Sequence, residues 1–141
     1  MFEYNNLINW LLQGDPSISW QVHAHLLGVQ MEDGGWNCRR PYGASHSSFH
    51  TTLIVLEAFH EYLQKSDEHK DEVLHARDRA VEFLLKHRLY KSHRTGRIVK
   101  SQMTQFCFPP RWKYDVMTVL DYLLYYPAMA FLTSSICRNI S

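Results

Sequence analysis

The stretch that decides the fold of this chain is Leu26–Trp36, with the sequence LLGVQMEDGGW. Apolar residues at helical spacing lead into it, so it is expected to close one helix. Gly34 and Gly35 permit positive φ values, which let the backbone reverse sharply after a helix. Trp36 follows at once, so the turn and not a helix face places its ring. The pattern predicts a joint between two helices, held by an aromatic side chain.

Helical periodicity on both sides of this turn predicts an all-α chain. The predicted helices cover residues 3–12, 17–30, 48–65, 67–88 and 114–126. Asp15 with Pro16, Ser47 or Ser48, and Ser66 are the candidate helix starts. The helix over 48–65 is apolar on most of its circumference, which indicates a helix covered on two sides. The helix over 67–88 keeps a polar side and is expected to lie outside it, while no structure is predicted for residues 128–141.

Composition limits the classes of function. The 141 residues suit one domain, and 45% hydrophobic content argues against disorder. A formal net charge of +1 predicts no general attraction to nucleic acid or anionic membranes. The three cysteines have no zinc or redox spacing. Without a signal peptide or an apolar run of about 20 residues, we expect a cytoplasmic protein with no membrane span.

The chain contains a weak internal repeat. Leu26-Leu27 precede Gly35-Trp36 much as Leu84-Leu85 precede Gly96-Arg97, and the two turns lie 61 positions apart. With the apolar helix that begins near His50, the first copy resembles the glutamine–tryptophan repeat of squalene and terpenoid cyclases, which protein prenyltransferase β subunits share. Residues 108–123 are similar to uncharacterised bacterial members of the same group.

The resemblance implies an α/α toroid in which inner helices surround a cavity and outer helices wrap them. Helices 48–65 and 114–126 would be inner, and helices 17–30 and 67–88 outer. Within the implied repeat motif, the glutamine bonds near helix ends and the tryptophan stacks on it; the motif positions here are Gln30, Asp33, Gly34, Gly35 and Trp36. The chain would supply two helix pairs of an incomplete toroid over residues 1–141, as a fragment, a truncated relative or part of an assembly.

Two catalytic signatures of that family do not match this sequence. The acidic Asp-x-Asp-Asp run of the cyclases and the zinc ligands of the prenyltransferases are both missing from it. Their catalysis therefore does not carry over, and whether this chain is an enzyme stays open. No cofactor is expected.

Candidate ligand-binding residues are those that a toroid would bring to its cavity: Trp36, His46, His50, Trp112, Tyr114 and Asp115. Each has a simpler structural interpretation. Trp36 suits a clasp between helices, and Asp115 suits a helix N-cap. His46 and His50 have the i, i+4 spacing of a metal pair, with Cys38 or Asp33 as a third ligand, but His46 precedes the predicted helix start. No metal site is therefore predicted.

Residues 86–114 carry eight Lys or Arg side chains, no Asp or Glu, and interleaved aromatic residues. Nucleic-acid binding through phosphate contacts and stacking is one interpretation. A solvated helix end and loop is the preferred one, because an acidic stretch comes just before it. Two functions are carried forward. The first is a module that binds an apolar or carbohydrate-like ligand in a helical cavity, and the second is a scaffold or homo-oligomer that pairs through exposed inner-helix faces.

Overall fold

The computed structural model describes residues 25–67, 69–105 and 114–125. The regular elements in these ranges are helices, and their order follows the prediction. Residues 25–28 end one helix, and three longer helices follow: α1 (Phe49–Lys65), α2 (Lys70–Lys86) and α3 (Val116–Tyr125). Arg40–Tyr42 and Ser101–Thr104 form short 3-10 turns. Within the described ranges there is no strand, only one isolated bridge between Lys91 and Ile98, so the predicted all-α class is confirmed.

The start of α1 is set by a side-chain cap. Ser48 is in an extended conformation, and its Oγ accepts the backbone N–H of Thr51 at 3.2 Å. This satisfies one of the free N–H groups that every helix leaves at its first turn. Of the two serines that the sequence offered for this role, Ser48 takes it.

The prediction that Ser66 begins the next helix is wrong. Ser66 instead ends α1, where its backbone N–H donates to the Tyr62 carbonyl at 2.9 Å. The α2 helix starts at Lys70, after His69 in a left-handed conformation at φ 52°. Ser48 and Ser66 are both extended, but Ser48 precedes the first residue of α1 and Ser66 follows its last residue.

The core lies between α1 and α2 and includes α3. The most deeply buried side chains are apolar except for one threonine: Trp36, Phe59, Leu56, Leu84, Val73, Val81, Val119 and Thr52. Tyr122 of α3 donates its hydroxyl to the Leu56 carbonyl at 3.3 Å, which brings α3 against α1. As its sequence predicts, α1 is thus buried on more than one side. On α2 the charged positions Asp71, Glu72, Asp78 and Glu82 stay exposed.

The predicted helix over 3–12, the start of the helix over 17–30, Trp112 and the tail over 128–141 lie outside the described residues. Among the helices that the structure describes, none has both the length and the apolar character needed to cross a membrane.

Candidate functional site

The Gln30–Trp36 turn is fastened to α2 by the side chain of Gln30. Its Nε2 donates to the Gly34 carbonyl at 2.7 Å and to the Ala76 carbonyl of α2 at 2.8 Å. Its Oε1 accepts from Arg79 Nη1 at 3.1 Å. Both ends of the amide are therefore satisfied, and the glutamine joins the turn to a helix 46 positions away in sequence.

Arg79 adds a second fastening from α2 to the same turn. Its Nη2 donates to the carbonyls of Met31 and Glu32, each at 3.2 Å. The α2 backbone comes so close that a Cβ on Gly34 would lie 2.5 Å from the Arg79 carbonyl oxygen. Gly34 also has φ 97°, which residues with a Cβ rarely adopt. A glycine is therefore required at this position both for the backbone conformation and for the close contact with α2.

Trp36 joins the turn to the preceding helix and to α1. Its ring is 2% exposed, and its Nε1 donates to the Leu26 carbonyl at 2.8 Å. Its backbone N–H donates to Thr52 Oγ1 of α1 at 3.0 Å. The ring meets Phe59 of α1 edge to face, at 5.4 Å between centroids. The indole is therefore a clasp between helices with almost no surface left for a ligand.

Gly35 serves a different purpose from the one its sequence suggests. Positive φ among the described glycines is found at Gly34, Gly43 and Gly96, and Gly35 is not one of them. A Cβ on Gly35 would instead lie 2.5 Å from Thr52 Oγ1 and 2.7 Å from the Ser47 Cβ. Gly35 is thus needed for the close approach of α1, and Thr52 is a partner that sequence reasoning missed. The only available signal for Thr52 was a hydroxyl within an otherwise apolar helix face.

Asp33 holds the far side of the turn to the loop before α1. Its carboxylate accepts the backbone N–H of Ser47 at 2.8 Å and also the Ser47 hydroxyl in a short contact. The Ser48 N–H donates to the Trp36 carbonyl at 2.8 Å, next to these bonds. The five motif positions therefore act together, and each of the contacts described is to another part of this chain.

Tyr114 and Asp115 are buried beside the start of α3. The Tyr114 hydroxyl donates to the Leu89 carbonyl at 2.5 Å, and its ring lies 5.4 Å from that of Phe49. Burial, and then the charge of Asp115, raise the pKa of the Tyr114 phenol far above its usual range. The Asp115 carboxylate accepts the Thr118 N–H at 2.9 Å and the Thr118 hydroxyl at 3.0 Å. This bonding is that of a helix N-cap.

In the described ranges, the two histidines that were candidate ligands have no set of further ligands around them. His46 is exposed in the loop before α1, where its carbonyl accepts from Asn37 Nδ2 at 2.6 Å, and His50 lies in the first turn of α1. Across residues 25–67, 69–105 and 114–125, no three His, Cys, Asp or Glu side chains could hold a metal ion together. Of the candidate ligand-binding residues in the described ranges, Trp36, Tyr114 and Asp115 are buried and bonded within the chain, while His46 lies before α1 and His50 in its first turn.

A second histidine pair, which sequence reasoning missed, lies where α2 ends. His87 Nδ1 donates to the Phe83 carbonyl at 2.8 Å, and its Nε2 faces His93 Nδ1 at 2.9 Å. The His87 ring packs edge to face on Phe49, at 5.5 Å between centroids. Arg88 and Leu89 follow with φ 48° and 66°, a left-handed conformation that is costly for residues with a Cβ. The spacing of six positions between the two histidines is not a helical contact, so it carried no signal.

An open, polar depression of about 200 Å³ lies on the α2 side of the turn. It is lined by acidic and basic groups together: Glu32, Asp33, Arg79, Glu82 and Lys86. Since Arg79 and Asp33 are already bonded within the chain, this depression offers little for a ligand to bind.

Comparison with known proteins gives no match for this chain among protein-family models, curated proteins or solved structures. Its function is therefore inferred from its own residues and their geometry, and the similarity to terpenoid cyclases stays a hypothesis.

Proposed function

We propose that this chain is an interaction module that pairs with a second copy of itself through an exposed apolar face of α3. The observation that carries the proposal is a stripe along that helix. Met117 is 50% exposed, Leu120 38% and Leu124 77%. Their spacing of three and seven positions puts them on one side of the helix.

The opposite side of α3 already has its partners. Val119, Tyr122 and Leu123 are buried in the core. The stripe is therefore not buried against the other described residues. Exposed apolar stripes of this kind favour association with another molecule. A second copy is the favoured occupant because an uncharged stripe is complementary to itself across a two-fold axis, with Asp121 at its edge.

The way in which the Gln30–Trp36 turn joins its neighbouring helices also suits a terpenoid-cyclase-like repeat module. The Gln30–Trp36 turn fastens the helix that ends at residue 28 to α1 and α2, which is what a repeat unit requires of its joint. Such units bury their remaining apolar faces against neighbouring units. An incomplete toroid of two helix pairs would do so by pairing with another chain, and this role requires no catalytic residue.

Size-exclusion chromatography with light scattering tests the proposal. The protein should elute as a dimer at micromolar concentrations, and Leu124→Glu should make it monomeric with an unchanged circular dichroism spectrum. Ile98→Glu is the matched control, because Ile98 is 49% exposed but lies in the loop after α2. A wild-type protein that stays monomeric, or a Leu124→Glu variant that still dimerises, would contradict the proposal.

Binding of an apolar ligand is the second candidate, and the outward face of α1 favours it. Ile54 is 50% exposed, and Glu57 follows one turn later on the same side. Glu57 keeps much of its surface exposed, yet partial burial raises the pKa of its carboxyl. An apolar surface beside an acid whose ionised form is disfavoured by partial burial suits an apolar ligand better than a carbohydrate-like one. Titration with a fluorescent isoprenoid alcohol should then give saturable binding that Ile54→Glu abolishes, and non-saturable or unchanged binding would reject it.

A further inference from the structure

The end of α2 and the loop after it carry a dense set of cations, which we call the basic segment, Lys86–Lys100. It holds six Lys or Arg side chains and no Asp or Glu: Lys86, Arg88, Lys91, Arg94, Arg97 and Lys100. The ion pairs formed among the described residues lie elsewhere, and none of them includes one of these six. Among the described residues, no salt bridge therefore neutralises these six cations, although Lys86 shares the polar depression with Glu32, Asp33 and Glu82.

The basic segment is held in place by backbone bonds. The Ser92 N–H donates to the Arg97 carbonyl at 2.9 Å, and the Val99 N–H donates to the Tyr90 carbonyl at 3.0 Å. The buried Tyr114 hydroxyl fixes the Leu89 carbonyl at the base of the segment. Its cations are thus presented by a folded loop, so less conformational entropy is lost when they bind a partner.

Positive groups from three places converge on His93. Desolvation first, and then electrostatic interactions with His87, Lys86, Arg94 and His46, lower the pKa of its imidazole. Because His87 Nδ1 donates to a carbonyl, its Nε2 accepts the Nδ1–H of His93. The Nε2 of the exposed His93 ring is then left to take a proton and bind an anion. The end of α2, the basic segment and the loop before α1 all contribute to this point.

The acidic stretch that argued against a charged surface lies at the other end of α2. Asp71 lies in the first turn of that helix and Lys86 ends it, so about 22 Å separates them at 1.5 Å per residue. That distance exceeds the screening length of about 8 Å at physiological salt. Asp67 is moreover paired with Lys70 at 2.8 Å. Glu82, one turn before Lys86, is the nearest acid on α2, and the structure forms no ion pair between the two.

We propose that the basic segment binds the phosphates of a single-stranded nucleic acid, with Tyr42 as a stacking surface for a base. Tyr42 is 87% exposed and belongs to the loop that also carries His46. Arg39 and Arg40 precede it and are exposed as well. A ring presented beside arginines is the arrangement that single-strand binders use, since every base offers a face for stacking. This favours nucleic acid over an anionic lipid surface as the partner.

Fluorescence anisotropy of a labelled mixed-sequence oligonucleotide, as RNA and as DNA, tests the proposal on the whole chain. Binding should weaken steeply with salt, by a slope of roughly 0.7 in log units for each phosphate contacted. Arg94→Gln should reduce that slope by about 0.7, while Lys70→Gln removes the same charge at the far end of α2 and should leave it unchanged. Tyr42→Ala should weaken binding about tenfold.

The pH dependence gives an independent readout. A bound phosphate favours the protonated imidazole, so affinity should rise as the pH falls below the ordinary pKa of histidine, because the pKa of His93 is lowered, and His93→Gln should remove the rise. Circular dichroism of each variant checks the fold. No anisotropy change at low salt with either nucleic acid would overturn the proposal. So would stronger retention on anionic phosphatidylserine vesicles that Ile98→Ser abolishes, because the partner would then be a lipid surface.

Discussion

Replacing Gly34 by alanine should destabilise the fold far more than replacing Gly43, although the two glycines have similar backbones. Their φ values are 97° and 87°, so both substitutions meet the same left-handed strain. They differ in their surroundings. A Cβ at Gly43 would meet no atom within 4 Å, whereas a Cβ at Gly34 would lie 2.5 Å from the Arg79 carbonyl oxygen. The difference between the two variants therefore measures how tightly the turn is held against α2.

The magnitudes follow from these two contributions. Left-handed conformation costs an alanine roughly 1–2 kcal/mol, which is the whole expected loss for Gly43→Ala. At Gly34 the forced separation from α2 adds an overpacking cost of about 1–3 kcal/mol. We therefore expect Gly34→Ala to lower the free energy of unfolding by about 2–5 kcal/mol, a large part of the stability of a small domain.

Urea unfolding followed by circular dichroism at the helical band measures both variants, provided that the slope of the transition stays constant. The Gly34→Ala midpoint should fall clearly below that of Gly43→Ala. If the two variants lose the same free energy of unfolding within about 0.5 kcal/mol, the turn does not press on α2, and the clasp described for Gln30 and Arg79 is wrong.

Three other substitutions test separate parts of the structure. Trp36→Phe should cost about 2–4 kcal/mol in urea unfolding, because it leaves the Leu26 carbonyl without its donor and opens a cavity; a loss under 0.5 kcal/mol would mean that the indole is not a clasp. Asp115→Ala should cost about 1 kcal/mol through loss of its cap, while Asp121→Ala, an exposed acid of the same helix, should cost much less. Burial raises the pKa of Glu57, so the native state holds this proton more tightly than the unfolded chain, and that contribution is lost as the pH rises through the native pKa. Glu57→Gln should therefore have a higher free energy of unfolding than the wild type at neutral pH, and its free energy of unfolding should increase less when the pH is lowered. Identical pH profiles of the free energy of unfolding in urea would contradict this.

Much of the architecture followed from local patterns. The apolar circumference of 48–65 predicted a buried helix, and α1 spans Phe49–Lys65 with Ser48 as its cap. The apolar residues of α3 also recur at helical spacing in the sequence. Helix ends were harder to predict, since the sequence pattern predicts a helix start at Ser66, which instead ends α1. A serine can precede one helix or follow another, so its residue type alone does not say which. The next helix begins only after His69, whose left-handed conformation no propensity indicated.

The candidate site was harder to predict, because side chains distant in sequence decide it. Trp36 was recognised as a joint, but its partners Thr52 and Phe59 could not be identified from spacing. Arg79 lies 49 positions from Gln30 and carries no motif of its own. His87 and His93 meet only because the backbone turns through two left-handed residues between them.

By itself the sequence determined the helical class, the glycine turn with its indole and the apolar faces, since these depend on periodicity and on the conformational range of neighbouring residues. Only the tertiary structure decided that Gly35 is needed for contact and not for φ. It likewise brought His87 and His93 together at the end of α2. The physical reason is that hydrogen bonds, packing and screened charge act over a few ångströms of space. The fold alone determines which residues come within that range.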